Sequence, residues 1–231
     1  MEKLLKVEHL KKYFPTPRGL LHAVDDVSFD INKRETLGVV GESGCGKSTL
    51  GRTVIGLLAP TEGKVFFEGR EISRMKRQHR KKLSSEVQII FQDPFSCLDP
   101  RLNVRDLIAE PLDINSTYHD KRERDKAVTE LMEIVGLAKR FENSYPHELD
   151  GGRRQRIGIA RALALDPKFI VCDEPVSALD VSIQAQILNL LQDLQESNGL
   201  TYMFITHNLS VVKHISDHIL VMYLGTVVEK G

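Results

Sequence analysis

The chain has 231 residues, of which 28% are charged and 41% hydrophobic, and its formal net charge at pH 7 is zero. This length supports one large domain or two small subdomains, and this composition is typical of a globular protein. Zero net charge gives no general attraction to nucleic acids or to an acidic membrane surface. The composition therefore disfavours a nucleic-acid partner, although a local basic patch remains open.

The cysteines and the apolar segments restrict the cellular setting. Cys45, Cys97 and Cys172 are far apart and show neither metal-ligand spacing nor a disulfide pattern, which favours a reducing compartment. No apolar h-region follows the first residues, and no run approaches the length that spans a membrane. We therefore expect neither a signal peptide nor a membrane span, so membrane association would need a partner.

Strand and helix patterns alternate along most of the chain. The predicted strands cover residues 4–10, 23–31, 36–40, 64–68, 87–91, 168–172, 201–205, 218–223 and 226–229, with a proline-containing loop between the first two. Helices are predicted after Lys47 and over residues 74–84 (strongly basic), 121–136, 152–165, 183–198 and 209–215. This alternation predicts a mostly parallel sheet with helices on both faces, and residues 95–147 form a helical insertion in it.

A glycine-rich stretch after the third strand matches the phosphate-binding pattern G-x-x-x-x-G-K-[ST]. Its glycines let backbone N–H groups turn around a phosphate, and the following helix N-terminus adds partial positive charge. Lys47 would reach the β- and γ-phosphates, and the Ser48 hydroxyl would ligate magnesium. An ordinary glycine-rich turn is the alternative, but the flanking strand and helix favour a nucleotide triphosphate site. The predicted binding residues are Gly41, Ser43, Gly44, Cys45, Gly46, Lys47, Ser48 and Thr49.

Two carboxylates, Asp173 and Glu174, end a later apolar strand. In P-loop enzymes an aspartate at such a position supports magnesium, and a neighbouring carboxylate can polarise the attacking water. An acidic turn without special function is the alternative. His207 also follows a strand, but a lone histidine is usually structural or merely exposed. Asp180 precedes a predicted helix, and its residue type suits the N-cap of that helix.

The order of these motifs resembles the nucleotide-binding domain of an ATP-binding cassette transporter. The resemblance covers essentially the whole chain and depends on residues 41–49, 92, 149–153, 173–174, 177–180 and 207. It implies an α/β fold, a P-loop NTPase with a mostly parallel core sheet, an antiparallel β-subdomain and an inserted α-helical subdomain. The implied division is a single domain over residues 1–231. Within it, residues 1–94 and 148–231 form the ATP-binding core, and residues 95–147 form the helical subdomain that docks on a membrane partner.

This resemblance also implies roles for single residues around the nucleotide. Tyr13 would stack on adenine, and Glu174 would be the catalytic base. Gln92 would sense magnesium and the lytic water, so it is predicted both as a catalytic residue and, with Ser48 and Asp173, as a metal ligand.

A further set of implied roles concerns the contact between two subunits. The signature, residues 149–153 with Asp150, Gly151 and Gly152, would contact the γ-phosphate bound to the opposite subunit. Asp180 would lie in the D-loop at the dimer seam, and His207 would be the switch histidine. ATP and Mg²⁺ are the implied cofactors.

Finer resemblance points to the oligopeptide/dipeptide importer ATPases, the F-type subunit more than the D-type. It depends on residues 41–50, 90–101 and 171–182. The implied partners are a second ATPase subunit, two transmembrane permease subunits and an extracytoplasmic peptide-binding protein, at the cytoplasmic face of the inner membrane. Members of this group usually carry a further C-terminal segment, which is expected to be absent here because the chain ends at Gly231.

The signature departs from the family pattern Leu-Ser-Gly-Gly-Gln, because this chain has Asp150 and Arg153 in place of serine and glutamine. An ionised Asp150 cannot donate a hydrogen bond to a phosphate and would place negative charge beside a polyanion. However, aspartate caps a helix as well as serine does, and Arg153 is within pairing reach. A compensated pair and a weakened site therefore both remain open.

Two other functions remain as alternatives to a transport ATPase. A cassette ATPase of DNA repair or translation would usually bring long coiled-coil or tandem insertions, which this sequence lacks. A nucleotide-binding subunit that hydrolyses ATP poorly is favoured by Asp150 but disfavoured by the presence of Glu174 and His207.

Overall fold

The computed structural model describes residues 2–75 and 77–231, without the side chains at positions 77–80 and 94. The strands are β1 (Lys3–Thr16), β2 (Gly19–Asn32), β3 (Thr36–Gly41), β4 (Glu62–Phe67), β5 (Arg70–Glu71), β6 (Val87–Ile90), β7 (Phe169–Asp173), β8 (Thr201–Thr206), β9 (His218–Tyr223) and β10 (Thr226–Lys230). The helices are α1 (Lys47–Val54), α2 (Arg77–Glu86), α3 (Pro94–Cys97), α4 (Val104–Asn115), α5 (Lys121–Ile134), α6 (Gly151–Leu163), α7 (Val181–Asn198) and α8 (Leu209–Ile215). The basic helix predicted over 74–84 thus corresponds to α2, but Lys76 and the side chains at 77–80 lie outside the described residues.

A four-stranded antiparallel sheet has the order β2-β1-β4-β5. β1 and β2 are longer than the sequence predicts and form a hairpin in which Thr16 pairs with Gly19. β4 pairs with β1 only as far as Lys11, so β2 is the single neighbouring strand at the C-terminal end of β1. Pro15 lies at this end, where a strand edge tolerates a residue that has no N–H group. The predicted loop between these strands is therefore only the tip of a hairpin.

The second sheet has the order β10-β9-β3-β8-β7-β6, in which only β10 runs antiparallel among the described strands. Every residue of β7 and β8 is buried, as expected for strands covered by helices on both faces. This arrangement confirms the predicted α/β fold with a mostly parallel core sheet. Because β3, β6, β7 and β8 are parallel, their carboxyl ends meet along one edge, where open α/β sheets bind ligands.

Two hydrophobic clusters cover the two faces of the core sheet. One joins β7 and β8 to α4–α7, with Leu107, Ile159 and Phe204 fully buried. The other joins the antiparallel sheet to α1, with Leu10 and Leu50 fully buried. The sheet is thus fixed between helices on one side and the antiparallel sheet with α1 on the other.

Residues 95–147 contain most of α3, all of α4 and α5, and 3₁₀ turns, whereas the strands of the described chain all lie outside this segment. The helical character of this insertion agrees with the sequence pattern, while its status as a separate subdomain stays a prediction. Among the described residues, none of the helices is both long enough and apolar enough to cross a membrane.

Candidate functional site

The glycine-rich loop connects the end of β3 to the start of α1, as predicted. Gly46 precedes the first residue of α1 with a φ of 108°, and no side chain caps the N–H groups of that helix. A Cβ atom at Gly46 would lie 2.0 Å from the carbonyl oxygen of Ala23, so only glycine fits there. Nζ of Lys47 donates to the carbonyl oxygens of Gly41 and Glu42 at 2.8 and 2.7 Å. The loop therefore presents uncapped N–H groups beside a buried ammonium group, which is the chemistry of an anion site.

The Asp173 carboxylate at the end of β7 lies against α1. Oδ1 accepts a hydrogen bond of 2.6 Å from Oγ of Ser48, and Oδ2 accepts one of 3.2 Å from Nη2 of Arg52. The Asp173 side chain is only 1% exposed. Hydroxyl and carboxylate oxygens are the hard donors that Mg²⁺ prefers, so the predicted Ser48–Asp173 pair fits that ion.

The three predicted catalytic residues lie together, because Gln92 and His207 both contact the carboxylate of Glu174. Its Oε2 accepts hydrogen bonds from Nε2 of Gln92 at 3.1 Å and from Nδ1 of His207 at 3.2 Å. Since Nε2 of Gln92 is engaged in this way, only Oε1 of that amide remains for the predicted metal contact. Glu174 has a φ of 49°, a left-handed conformation that is uncommon for residues other than glycine and is concentrated at functional sites.

A cavity of about 590 Å³ joins the glycine-rich loop to these side chains, a volume that suits a ligand of nucleotide size. It is lined by the loop together with Gln92, Glu174 and His207. Its other lining residues are mainly apolar or aromatic and are Phe14, Leu21, His22, Ala23, Leu224 and Gly225. The cavity thus combines groups that can bind phosphates with rings on which a base can stack.

Tyr13, the predicted ring-stacking residue, does not line this cavity, whereas its neighbour Phe14 does. The Tyr13 ring stacks on His22 with centroids 3.9 Å apart, and its hydroxyl donates to Asp25. That hydrogen bond raises the pKa of Tyr13 and, with one from His22, lowers the pKa of Asp25. The Phe14 ring instead has a cation beside it, because Nζ of Lys12 lies 4.8 Å from the ring centre.

Resemblance to the family singled out Tyr13 and not its neighbour Phe14, which lines the cavity. The β1–β2 register shifts between Leu10 and Lys12 and again between Lys12 and Tyr13, so the simple alternation of a strand does not apply at this end of the hairpin. Accordingly, the adjacent residues Leu21 and His22 of β2 both line the cavity. The available signal for Phe14 was its position beside the predicted aromatic residue.

The signature residues lie at the N-terminus of α6, and three of them, Asp150, Gly152 and Arg153, line a different cavity, of about 280 Å³. Asp150 is the N-cap, and its Oδ1 accepts the backbone N–H of Arg153 at 2.8 Å while Oδ2 pairs with the Arg153 guanidinium. The guanidinium also lies 4.6 Å from the centre of the Phe141 ring. The expected Asp150–Arg153 pair is therefore formed, and both carboxylate oxygens are engaged.

The two signature glycines pack against the D-loop region. A Cβ at Gly152 would lie 2.7 Å from Ile183, and one at Gly151 would lie 3.0 Å from Leu179. Asp180 precedes α7 at the N-cap position, although its side chain makes no capping hydrogen bond. The structure thus brings Asp150, Gly151, Gly152 and the D-loop together in one region, separate from the cavity of the glycine-rich loop.

The chain is similar to proteins of known family and to proteins of known structure. Residues 24–177 match the family model described as ABC transporter. The chain is 59% identical to the oligopeptide transport ATP-binding protein OppF of Bacillus subtilis, over 99% of this chain and 75% of the relative. It is 54% identical to AppF of the same organism, over 99% and 71%. It is 48% identical to the dipeptide transport ATP-binding protein DppF of Escherichia coli, over 100% and 70%.

Solved structures with this fold include the dimeric ATP-binding cassette MJ0796 in a post-hydrolysis state bound to ADP and Pi. It superposes with a TM-score of 0.90 at 29% identity, covering 99% of this chain and 98% of that one. CbiO1 from Clostridium perfringens, part of the transporter complex cbiONQ, superposes with a TM-score of 0.87 at 28% identity, covering 100% and 89%.

Proposed function

We propose that this chain, which belongs to the ABC transporter family, is the ATP-hydrolysing subunit of an importer of peptides. The relatives named for oligopeptide and dipeptide transport support the peptide cargo, because they match nearly the whole chain at about half identity or more. One observation carries the catalytic part of the proposal: Gln92 and His207 both bond to Glu174 at the edge of the loop cavity. The same observation disfavours a subunit that only binds ATP.

Binding of ATP is assigned to the loop cavity. The N–H groups of the glycine-rich loop and Nζ of Lys47 would hold the β- and γ-phosphates. The base would stack on a ring, and Phe14 is a better candidate than Tyr13 because Phe14 lines the cavity. A stacked side chain contacts the face of the base and not its edge, where adenine and guanine differ. This contact therefore explains binding but not a preference for ATP over GTP.

Hydrolysis would proceed by in-line attack of water on the γ-phosphorus, which breaks the bond to the bridging oxygen and releases ADP and phosphate. Glu174 is the proposed general base: it accepts a proton from the water as the new phosphorus–oxygen bond forms. Because Gln92 and His207 hold Oε2, the orientation of the carboxylate is fixed and Oε1 remains to receive that proton. Positioning of this kind provides much of the catalysis in phosphoryl transfer.

Magnesium is assigned to Ser48 and Asp173, with Oε1 of Gln92 as a third candidate ligand. When bound, the ion would neutralise charge on the β- and γ-phosphates. The residues of this chain contribute a hydroxyl and a buried carboxylate that already lie 2.6 Å apart.

The complete site is proposed to need a second ATPase subunit. Asp150, Gly151 and Gly152 lie outside the loop cavity of their own chain, so they are available to the cavity of a partner across a dimer seam that includes Asp180. The dimeric state of a structural relative supports this assembly. Two permease subunits in the membrane and an external peptide-binding protein complete the proposed importer, with this chain at the cytoplasmic face.

Steady-state ATPase activity of the purified chain tests the proposal, together with size-exclusion chromatography in the presence and absence of ATP. We expect turnover that requires Glu174 and a shift to dimers with ATP. ATP turnover that persists unchanged in Glu174→Gln would contradict the assigned mechanism. Uptake of labelled peptide by vesicles that contain the assembled importer tests the cargo, with a labelled sugar as the matched control.

A further inference from the structure

We infer that Arg52 is a positioning residue for the magnesium site, because it fixes the orientation of the Asp173 carboxylate. This inference rests on the proposed function, since it concerns the ion that accompanies ATP. Its basis is a single relationship: each oxygen of Asp173 has its own donor, with Ser48 on Oδ1 and Arg52 on Oδ2.

The two donors come from one face of one helix. Ser48 and Arg52 are four residues apart on α1, so their side chains point the same way, toward the end of β7. The carboxylate of Asp173 therefore contacts one helix at two points. Two contacts prevent rotation about the Cβ–Cγ bond, whereas Ser48 alone would leave the plane of the carboxylate free to turn.

Burial makes the second contact necessary. The Asp173 side chain is 1% exposed, and a buried carboxylate with an unpaired oxygen is unfavourable. The Arg52 side chain is 45% exposed, so its guanidinium reaches the carboxylate from solvent. Water screens the charge of this exposed cation and so weakens the repulsion that it exerts on a metal ion. The hydrogen bond of 3.2 Å acts directly on the carboxylate, so we expect its loss to affect the magnesium site more than the loss of that screened repulsion.

The experiment is a Mg²⁺ titration of the full chain with a fluorescent, non-hydrolysable ATP analogue, followed by thermal unfolding without nucleotide. Arg52→Met removes the donor and keeps the apolar stem, whereas Arg52→Lys keeps a cation and a donor. Arg70→Met is the matched control, because Arg70 is similarly exposed and also forms a salt bridge, with Glu68. We expect Arg52→Met to raise the Mg²⁺ concentration at half-maximal binding by about tenfold, the usual size of such indirect effects on metals.

Further expected results are an intermediate shift for Arg52→Lys, no shift for Arg70→Met, and little change in the affinity for the analogue without Mg²⁺. The inference would be overturned if Arg52→Met lowered the melting temperature but left the Mg²⁺ dependence of analogue binding unchanged. Arg52 would then be a purely structural partner of Asp173. If Arg52→Met does not fold, the same comparison is made with Arg52→Lys, where a wild-type Mg²⁺ dependence overturns it. Absence of Mg²⁺-dependent nucleotide binding in the unmodified chain would overturn the proposed function as well.

Discussion

Gln92 donates a hydrogen bond of 3.1 Å to Oε2 of Glu174, although the two residues are 82 positions apart in the chain. The contact forms because β6 and β7 are parallel neighbours whose carboxyl ends carry these residues to the same edge. His207, which follows β8, bonds to the same oxygen. The proposed base is thus held by donors from the strand on each side of its own strand.

Glu174→Gln is expected to lower ATP turnover by at least about 100-fold, because the amide cannot accept the proton of the attacking water. Binding of ATP should change little, since the glycine-rich loop, and not Glu174, is the proposed phosphate-binding element. Turnover and nucleotide binding are measured on the same preparation. Glu196→Gln, an exposed site on α7, is the matched control and should retain wild-type turnover.

Gly46→Ala is expected to abolish nucleotide binding or to prevent folding, because its Cβ would overlap the carbonyl oxygen of Ala23. Gly44→Ala is the matched comparison in the same loop. Its φ is also positive, at 78°, but no atom lies within 4 Å of the added Cβ. In the nucleotide-free chain, only conformational strain of about 1 kcal/mol is therefore expected there. Equal nucleotide affinity and stability in the two variants would contradict the close approach seen in the structure.

Phe14→Ala is expected to weaken ATP binding by about tenfold, which corresponds to the loss of one stacked ring. Tyr13→Ala should weaken it much less, since the Tyr13 ring contacts His22 and Asp25 rather than the cavity. The measurement is the dissociation constant of a fluorescent ATP analogue. A larger loss for Tyr13 than for Phe14 would support the assignment of Tyr13 made from the sequence and contradict that of Phe14.

Arg153→Gln is expected to lower ATP turnover more than the double variant Asp150→Ser with Arg153→Gln. The single change leaves the Asp150 carboxylate without its guanidinium partner, whereas the double change restores the residues usual in the family. The double variant should stay within about twofold of the unmodified chain if the pair is compensated. A large rise in its turnover would show that Asp150 weakens the site.

Lys168→Met is expected to lower the free energy of unfolding at pH 7 by about 0.5–1 kcal/mol, a small effect because the Lys168–Glu68 salt bridge is partly exposed. Hydrogen bonding to Lys168 lowers the pKa of Glu68 below 4.5. A lowered carboxylate pKa stabilises the folded state above the unfolded pKa, and this contribution is lost as pH falls through the folded pKa. The difference between the two proteins should therefore shrink below pH 4.5 in urea unfolding experiments. A constant difference would contradict the ion pair.

Local sequence patterns were sufficient to predict features whose residues lie close together in the chain. These features are the glycine-rich loop, the buried strand that ends in Asp173 and Glu174, and the order in which strands and helices alternate. The N-cap of α6 and the Asp150–Arg153 pair follow from a spacing of three residues, so they too could be predicted. Family resemblance added roles for His207 and Gln92, which these residues would not have indicated in isolation.

Contacts between distant segments could be seen only once the chain was folded. The β1–β2 hairpin, whose register is irregular, brings Phe14 to the cavity lining, whereas the Tyr13 ring packs on His22. The bond from Arg52 to Asp173 required α1 to lie against the end of β7, although these two residues are 121 positions apart. Such contacts depend on the distance between elements and on their relative orientation, and neither quantity is encoded in a local sequence pattern.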